Sequence, residues 1–223
     1  PDDELSLGAV DLVSMTGTIT DNDGDVRNAV LNLGDAISFK DDGPTLTVNA
    51  VADGPITLTT QDAETDGIPT DTDTASASFA AAFAAAVTPN YGADGPGTTV
   101  IGAYTLNVTD PASGLTSDGL AITLVKVGDD IVGRDSNNLD IFKISVDATG
   151  NVTLTQYEEL DHLKPGNDLQ VALASGKASL SATATITDGD GDTASAPVSV
   201  DLGGNIRFDD DVPTLTVNAV ADG

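Results

Sequence analysis

The residues with the clearest chemistry are two short acidic loops. Asp188-Gly-Asp-Gly-Asp192 and Asp21-Asn-Asp-Gly-Asp25 place a carboxylate at every second position, with glycine or asparagine between. That is the spacing with which an EF-hand-like loop wraps oxygen ligands around calcium, glycine permitting the sharp turn. Three carboxylates held this close repel one another unless a cation sits among them. No bidentate Glu follows at the later EF-hand position, so further ligands must come from elsewhere in the fold. The expected source is the acidic run Asp209-Asp210-Asp211, represented in an earlier copy by Asp41-Asp42. Asp-Gly pairs also build tight turns without any metal. The alternation persists while the intervening Asn and Gly change, and this favours Ca2+. Only oxygen ligands are on offer, which disfavours zinc and copper, and magnesium is ill suited to an all-protein cage.

Other acidic groups leave alternatives open. Asp62-Ala-Glu64-Thr-Asp66 could form another calcium loop or a solvated one, and Asp53 is a ligand or simply part of a turn. Asp129-Asp130 and Glu158-Glu159 read as solvated faces. His162, beside Asp161 and Glu159, has no identifiable nucleophile or paired base, so no catalytic set is expected and the chain reads as a non-enzyme. Gly92 to Gly97 lacks the Lys and helix of a phosphate loop.

Composition narrows the partners. The 223 residues hold 36 Asp and Glu against 8 Lys and Arg, a formal charge of −28, with no Cys and one His. So few cations cannot neutralise nucleic-acid phosphates, and an anionic membrane is excluded likewise. Absence of Cys removes disulfides, thiolate metal sites and thiol nucleophiles. Only 4 of the 36 acids are Glu, so the charge belongs to turns and caps rather than to helices. A 39% hydrophobic content is too high for a disordered acidic tail. The longest apolar run, Phe79 to Val87, is far short of the roughly 20 residues a membrane helix needs. Pro1 is not an initiator Met and no basic and apolar leader follows it, so no signal peptide is expected within these residues.

Period-two alternation predicts half-buried strands at Leu46, Val48 and Ala50, at Tyr104 to Val108 and at Ala178 to Ile186. Ile141 to Val146 and Val152 to Tyr157 flank Asp147-Ala-Thr-Gly-Asn151, a hairpin pattern. The Ala-rich stretch Ala75 to Val87 reads as helix or strand, and Tyr157 to Leu163 could make one helical turn. Frequent Gly and Asp punctuation of short strands implies an all-β fold, an immunoglobulin-like or Greek-key β-sandwich with room for one short helix.

The chain also repeats itself. Pro44 to Gly54 and Pro213 to Gly223 are the same eleven residues, PTLTVNAVADG. TITDNDGD from Thr18 matches TITDGDGD from Thr185 with one substitution, and Ile37-Ser-Phe-Lys-Asp-Asp42 answers Ile206-Arg-Phe-Asp-Asp-Asp211. The expected organisation is a window on a tandem array. Residues 1–43 would be the end of one unit with its calcium-loop motif, 44–211 a complete β-sandwich unit, and 212–223 the first strand of the next.

TATITDGDGDTASAPV with IRFDDDVPTLTVNAVADG and FKISVDATGNVTLTQYEEL resembles the large tandem repeat domains of giant RTX adhesins exported by type I secretion. The resemblance implies a calcium-stabilised β-sandwich extender module, extracellular at the bacterial surface, that projects distal ligand-binding domains in adhesion and biofilm formation. Its partners would be neighbouring repeat units of the same chain, with a cell-surface or glycan ligand engaged through other domains and no membrane insertion. An alternative role is direct calcium-dependent binding of a carbohydrate or cell-surface ligand by this unit.

Overall fold

The computed structural model describes residues 4–7, 12–62, 71–162 and 169–211. Its strands are β1 (Glu4–Ser6), β2 (Ser14–Thr20), β3 (Val26–Asn32), β4 (Ser38–Lys40), β5 (Thr45–Val48), β6 (Leu58–Gln61), β7 (Asp73–Ser78), β8 (Val87–Asn90) and β9 (Thr98–Val108). They continue with β10 (Ala112–Ser117), β11 (Leu120–Val127), β12 (Asp130–Arg134), β13 (Asp140–Val146), β14 (Asn151–Gln156), β15 (Gln170–Ala172), β16 (Ala178–Thr187), β17 (Thr193–Asp201) and β18 (Ile206–Asp209). One α-helix, α1 (Ala80–Ala86), interrupts them. The fold is the expected all-β sandwich with one short helix. Among the described residues, no helix is long and apolar enough to cross a membrane.

The chain divides into two compact units. One comprises Pro1–Thr45, Pro89–Thr98 and Ile186–Ala194, and the other Leu46–Thr88, Thr99–Thr185 and Ser195–Gly223. The first unit contains the β2–β3 hairpin, Ser14 opposite Asn32 and Thr20 opposite Val26. It also contains the antiparallel β1–β4 pair.

The second unit carries the core. A six-stranded antiparallel sheet runs in the order β10-β11-β12-β13-β14-β7, and further sheets run β17-β16-β9 and β15-β18-β6. Inward residues of all three sheets meet in one apolar cluster that includes Leu58, Leu106, Ile122, Ile144, Leu154, Leu180 and Phe208. Alternation does the work: β14 buries Val152, Leu154 and Gln156 while Asn151, Thr153 and Thr155 stay half-exposed. Aspartates shape the turns. In the β13–β14 hairpin the Asp147 carboxylate accepts from the backbone N–H of Thr149 (2.8 Å) and Asn151 (3.0 Å). The pairing of β18 with β6 is parallel, which nothing in the local sequence announces.

The ambiguous Ala-rich stretch proves to be both structures in succession: strand β7, helix α1, then strand β8. Alanine favours helix, but a seven-residue helix is too short to persist alone. Burial supplies the remainder. Phe79, Phe83 and Ala86 are in the core, and the Phe83 ring meets Tyr104 edge-on at 5.6 Å. The helical turn considered for Tyr157 to Leu163 does not form over residues 157–162, which are irregular, and Leu163 lies outside the described residues. Residues 212–223, expected as the next unit's first strand, also lie outside them.

The repeat supplies its own control. Phe208 is fully buried against Phe142, ring centroids 5.0 Å apart, whereas its counterpart Phe39 is 59% exposed. Ile186 is likewise buried and its counterpart Ile19 is 73% exposed. The same residue types occupy the same motif, and only the covering differs. Phe208→Ala should therefore cost about 3–5 kcal/mol of unfolding free energy, while Phe39→Ala should stay within about 0.5 kcal/mol. Urea titration of both variants measures the difference.

Candidate functional site

Both acidic loops are hairpin turns of the same construction. Asp188 N–H donates to the Asp192 carbonyl (3.0 Å), and Asp21 N–H to that of Asp25 (3.0 Å). In each the first carboxylate turns inward and caps the loop: Asp188 Oδ1 accepts from Asp192 N–H (2.8 Å) and Gly191 N–H (3.1 Å), and Asp21 Oδ1 from Asp25 N–H (2.9 Å). Gly191 at φ +108° and Gly24 at φ +98° occupy conformations that explain the shared glycine. The period-two spacing then sends the three carboxylates to one side, so that Asp188, Asp190 and Asp192 each offer an oxygen within 4.8 Å of the others, as do Asp21, Asp23 and Asp25.

The later loop has additional company. Asp41, Asp94 and Asp190 form a second group, again with one oxygen each within 4.8 Å, and Asp190 belongs to both. Asp41 comes from the acidic pair that ends the first repeat copy, and Asp94 from the turn after β8. Asp42 is employed differently: its carboxylate accepts from Ala93 N–H (3.1 Å) and holds that turn in place. A Cβ on Gly92 would fall 2.7 Å from Asp42 Oδ2, so glycine is needed for this approach. Two further glycines allow close packing. A Cβ on Gly97 would collide with the Thr187 carbonyl, and one on Gly189 with that of Asp94.

Asp188 is buried, yet its Oδ2 has no hydrogen-bond partner. Among the described residues, Asp41, Asp94, Asp188 and Asp190 form no ion pair with Lys or Arg. Their titration reflects the crowding. Loss of solvent pushes the Asp41 carboxyl up from its ordinary value, and the charge of Asp94 adds to it. Asp94 is raised by burial first and by the charge of Asp190 next. The hydrogen bond between Asp188 and Asp190 raises Asp190. Burial also works to raise Asp188, but that same bond and those from the backbone of Asp192 and Gly191 prevail and hold it low. In the earlier loop, hydrogen bonds from Asp23 and the Asp25 backbone lower Asp21. A proton held between two carboxylates relieves part of the repulsion that a divalent cation would relieve more fully. An all-oxygen donor set with an orphaned buried carboxylate oxygen fits calcium.

The remaining expected ligands have other surroundings. Asp209 accepts from Gln170 Nε2 (2.5 Å), Asp210 lies with Asp62 and His162, and Asp211 is exposed. The Asp53 carbonyl accepts from Ile56 N–H (2.7 Å), as a turn residue does. Burial pushes the Asp62 carboxyl up, against hydrogen bonds from Gln156 and His162. Glu64 and Asp66 lie outside the described residues. Asp94 is the addition: its Asp-Gly-Pro context signals only a turn, and its proximity to Asp190 is a long-range contact.

Comparison with known proteins gives a single match. A family model described as a domain of unknown function (DUF5801) matches residues 45–203. No curated protein and no solved structure matches the chain.

The later loop also differs from its twin in tolerance. Asn22 stands where Gly189 stands in the second copy, and only Gly189 is pressed against a neighbouring carbonyl. Gly189→Ala should destabilise by about 1–3 kcal/mol, whereas Asn22→Ala, on an exposed loop, should stay within about 0.5 kcal/mol. Thermal and urea unfolding test this, and equal effects at the two positions would refute the close packing.

Proposed function

The chain belongs to the DUF5801 family of domains of unknown function, and we propose that this member is a non-catalytic, calcium-dependent structural extender, one bead of a tandem array in a bacterial surface adhesin exported by type I secretion. The observation that carries the reading is the composition of the larger acidic group. Asp41 comes from the end of one repeat copy, and Asp94 and Asp190 from the next. A cation held by all three ties successive copies together, and Asp190 connects it to a second cation position formed with Asp188 and Asp192. The linkage between beads is then itself a metal site.

Exposure in the first copy supports the array. Ile19, Val30 and Phe39 are left uncovered in the very motif whose second occurrence is buried, as expected of a module whose remaining strands belong to a preceding unit. The energetic argument concerns location. A site at 100 times its Kd in free calcium adds about 2.7 kcal/mol of stability, and at calcium far below Kd almost nothing. With sensor-like affinities near 10⁻⁵ M, such sites are empty at cytosolic calcium and filled in millimolar external calcium. The extender thus stays pliable inside the cell and stiffens outside it, with metal taking the part disulfides play in other secreted domains.

Adding calcium to chelated protein should raise the melting temperature by about 5 to 10 °C per filled site. Asp190→Asn, which affects both carboxylate groups, should remove most of that rise. An unchanged melting temperature between EGTA and millimolar calcium would sink the proposal. In a chain of two complete repeats, small-angle scattering should give a longer maximum dimension with calcium than with EGTA. An equal dimension with both repeats folded would leave calcium as a stabiliser and reject the rigid joint.

A further inference from the structure

A second group of side chains lies in the larger unit and is independent of the acidic joint. Parallel strands β6 and β18 place Phe208 beside Thr60 and Asp209 beside Gln61. One residue further, the same register brings Asp210 next to Asp62. Asp62 continues the inward face of Leu58 and Thr60, both fully buried. Nε2 of His162 lies 2.9 Å from Asp62 Oδ2, with side chains only 5% and 4% exposed. One ligand atom from each of Asp62, His162 and Asp210 is within 4.8 Å of the other two.

An ordinary Asp–His pair would leave this group poorly matched. Asp62 Oδ1 accepts from Gln156 Nε2 and, at 3.4 Å, from Leu160 N–H. Nδ1 of His162, Oε1 of Gln156 and Oγ1 of Thr60 are buried without a hydrogen-bond partner. No protonation state of the imidazole repairs this. With the proton on Nε2, the Nδ1 lone pair is stranded. With it on Nδ1, that donor is stranded and the Nε2 lone pair faces a carboxylate oxygen. The imidazolium strands its Nδ1–H. Gln156 Oε1 belongs to the amide that already binds Asp62, so an uncommitted carbonyl oxygen adjoins the same carboxylate. The cluster is rich in acceptors and short of positive charge.

We infer that Asp62, His162 and Asp210 form a cation site distinct from the aspartate loops, one that takes a divalent transition ion of the zinc class. One imidazole nitrogen with two carboxylates suits such an ion, whereas calcium prefers oxygen throughout. The site joins the ends of β6 and β18 and so fastens the chain's only parallel pairing among the described residues.

His162 is the sole histidine of the chain, so its ring signals report this site alone. The test is imidazole NMR of the full chain, first saturated with calcium and then titrated with zinc chloride. A single equivalent of zinc should shift the ring resonances after calcium has left them in place. His162→Gln and Asp210→Asn should each weaken zinc binding by about tenfold or more, with circular dichroism and the calcium-dependent melting rise retained. Unmoved ring signals in saturating zinc overturn the inference, as does equal zinc affinity in folded His162→Gln. Ring signals that respond equally to calcium overturn the assignment to a transition ion. Should His162→Gln fail to fold, Asp210→Asn and the unsubstituted chain still decide the question.

Discussion

Like charges forced together govern this molecule. Asp41, Asp94, Asp188 and Asp190 are brought into one neighbourhood by three separate stretches of chain, with no basic side chain paired to them among the described residues. Isolated in water, each would simply ionise. Packed together and partly stripped of solvent, they compete: Asp41, Asp94 and Asp190 are pushed toward the neutral form while Asp188 keeps its charge. Glycines at positions 92, 97 and 189 remove the steric obstacles to that crowding. Local architecture thus works to concentrate repulsion, which is stable only where something positive offsets it.

The two occurrences of the repeated motif separate what a sequence encodes from what its surroundings add. Loop closure, capping by the first aspartate and the left-handed glycine are identical in both copies, so they are local properties of the motif. Burial is not. Ile19 and Phe39 stand in solvent, whereas Ile186 and Phe208 are enclosed. A hairpin can form with its apolar face uncovered, but most of its stabilising free energy comes from what packs on that face.

Much of this was legible beforehand. The alternation in β13, β14 and β16 predicts strands and their buried faces, and the Asp147-to-Asn151 turn predicts the hairpin register. The acidic spacing predicts convergent carboxylates. The Ala-rich stretch resisted because alanine's helix propensity and its neighbours' alternation are both real, and the chain honours each in turn over adjacent residues. Asp94 was hidden for another reason: its place beside Asp190 depends on a turn that is itself held by Asp42, and no local pattern encodes a three-segment contact. The same holds for His162, whose sequence neighbours Asp161 and Glu159 suggest a solvated face, while its actual partner, Asp62, lies a hundred residues away.

The parallel pairing of β6 with β18 bears on how the unit is made. Its two strands come from opposite ends of the larger unit's described chain, so the contact that completes the core is also one of the most distant in sequence. Contacts of that separation are entropically expensive and slow to form. Until β18 is available, Leu58 and Thr60 on β6 have no neighbouring strand on that side, and partial lengths of the module cannot reach the final packing. Such a module assembles late and as a whole, which makes its folding time a property of its length as well as of its sequence.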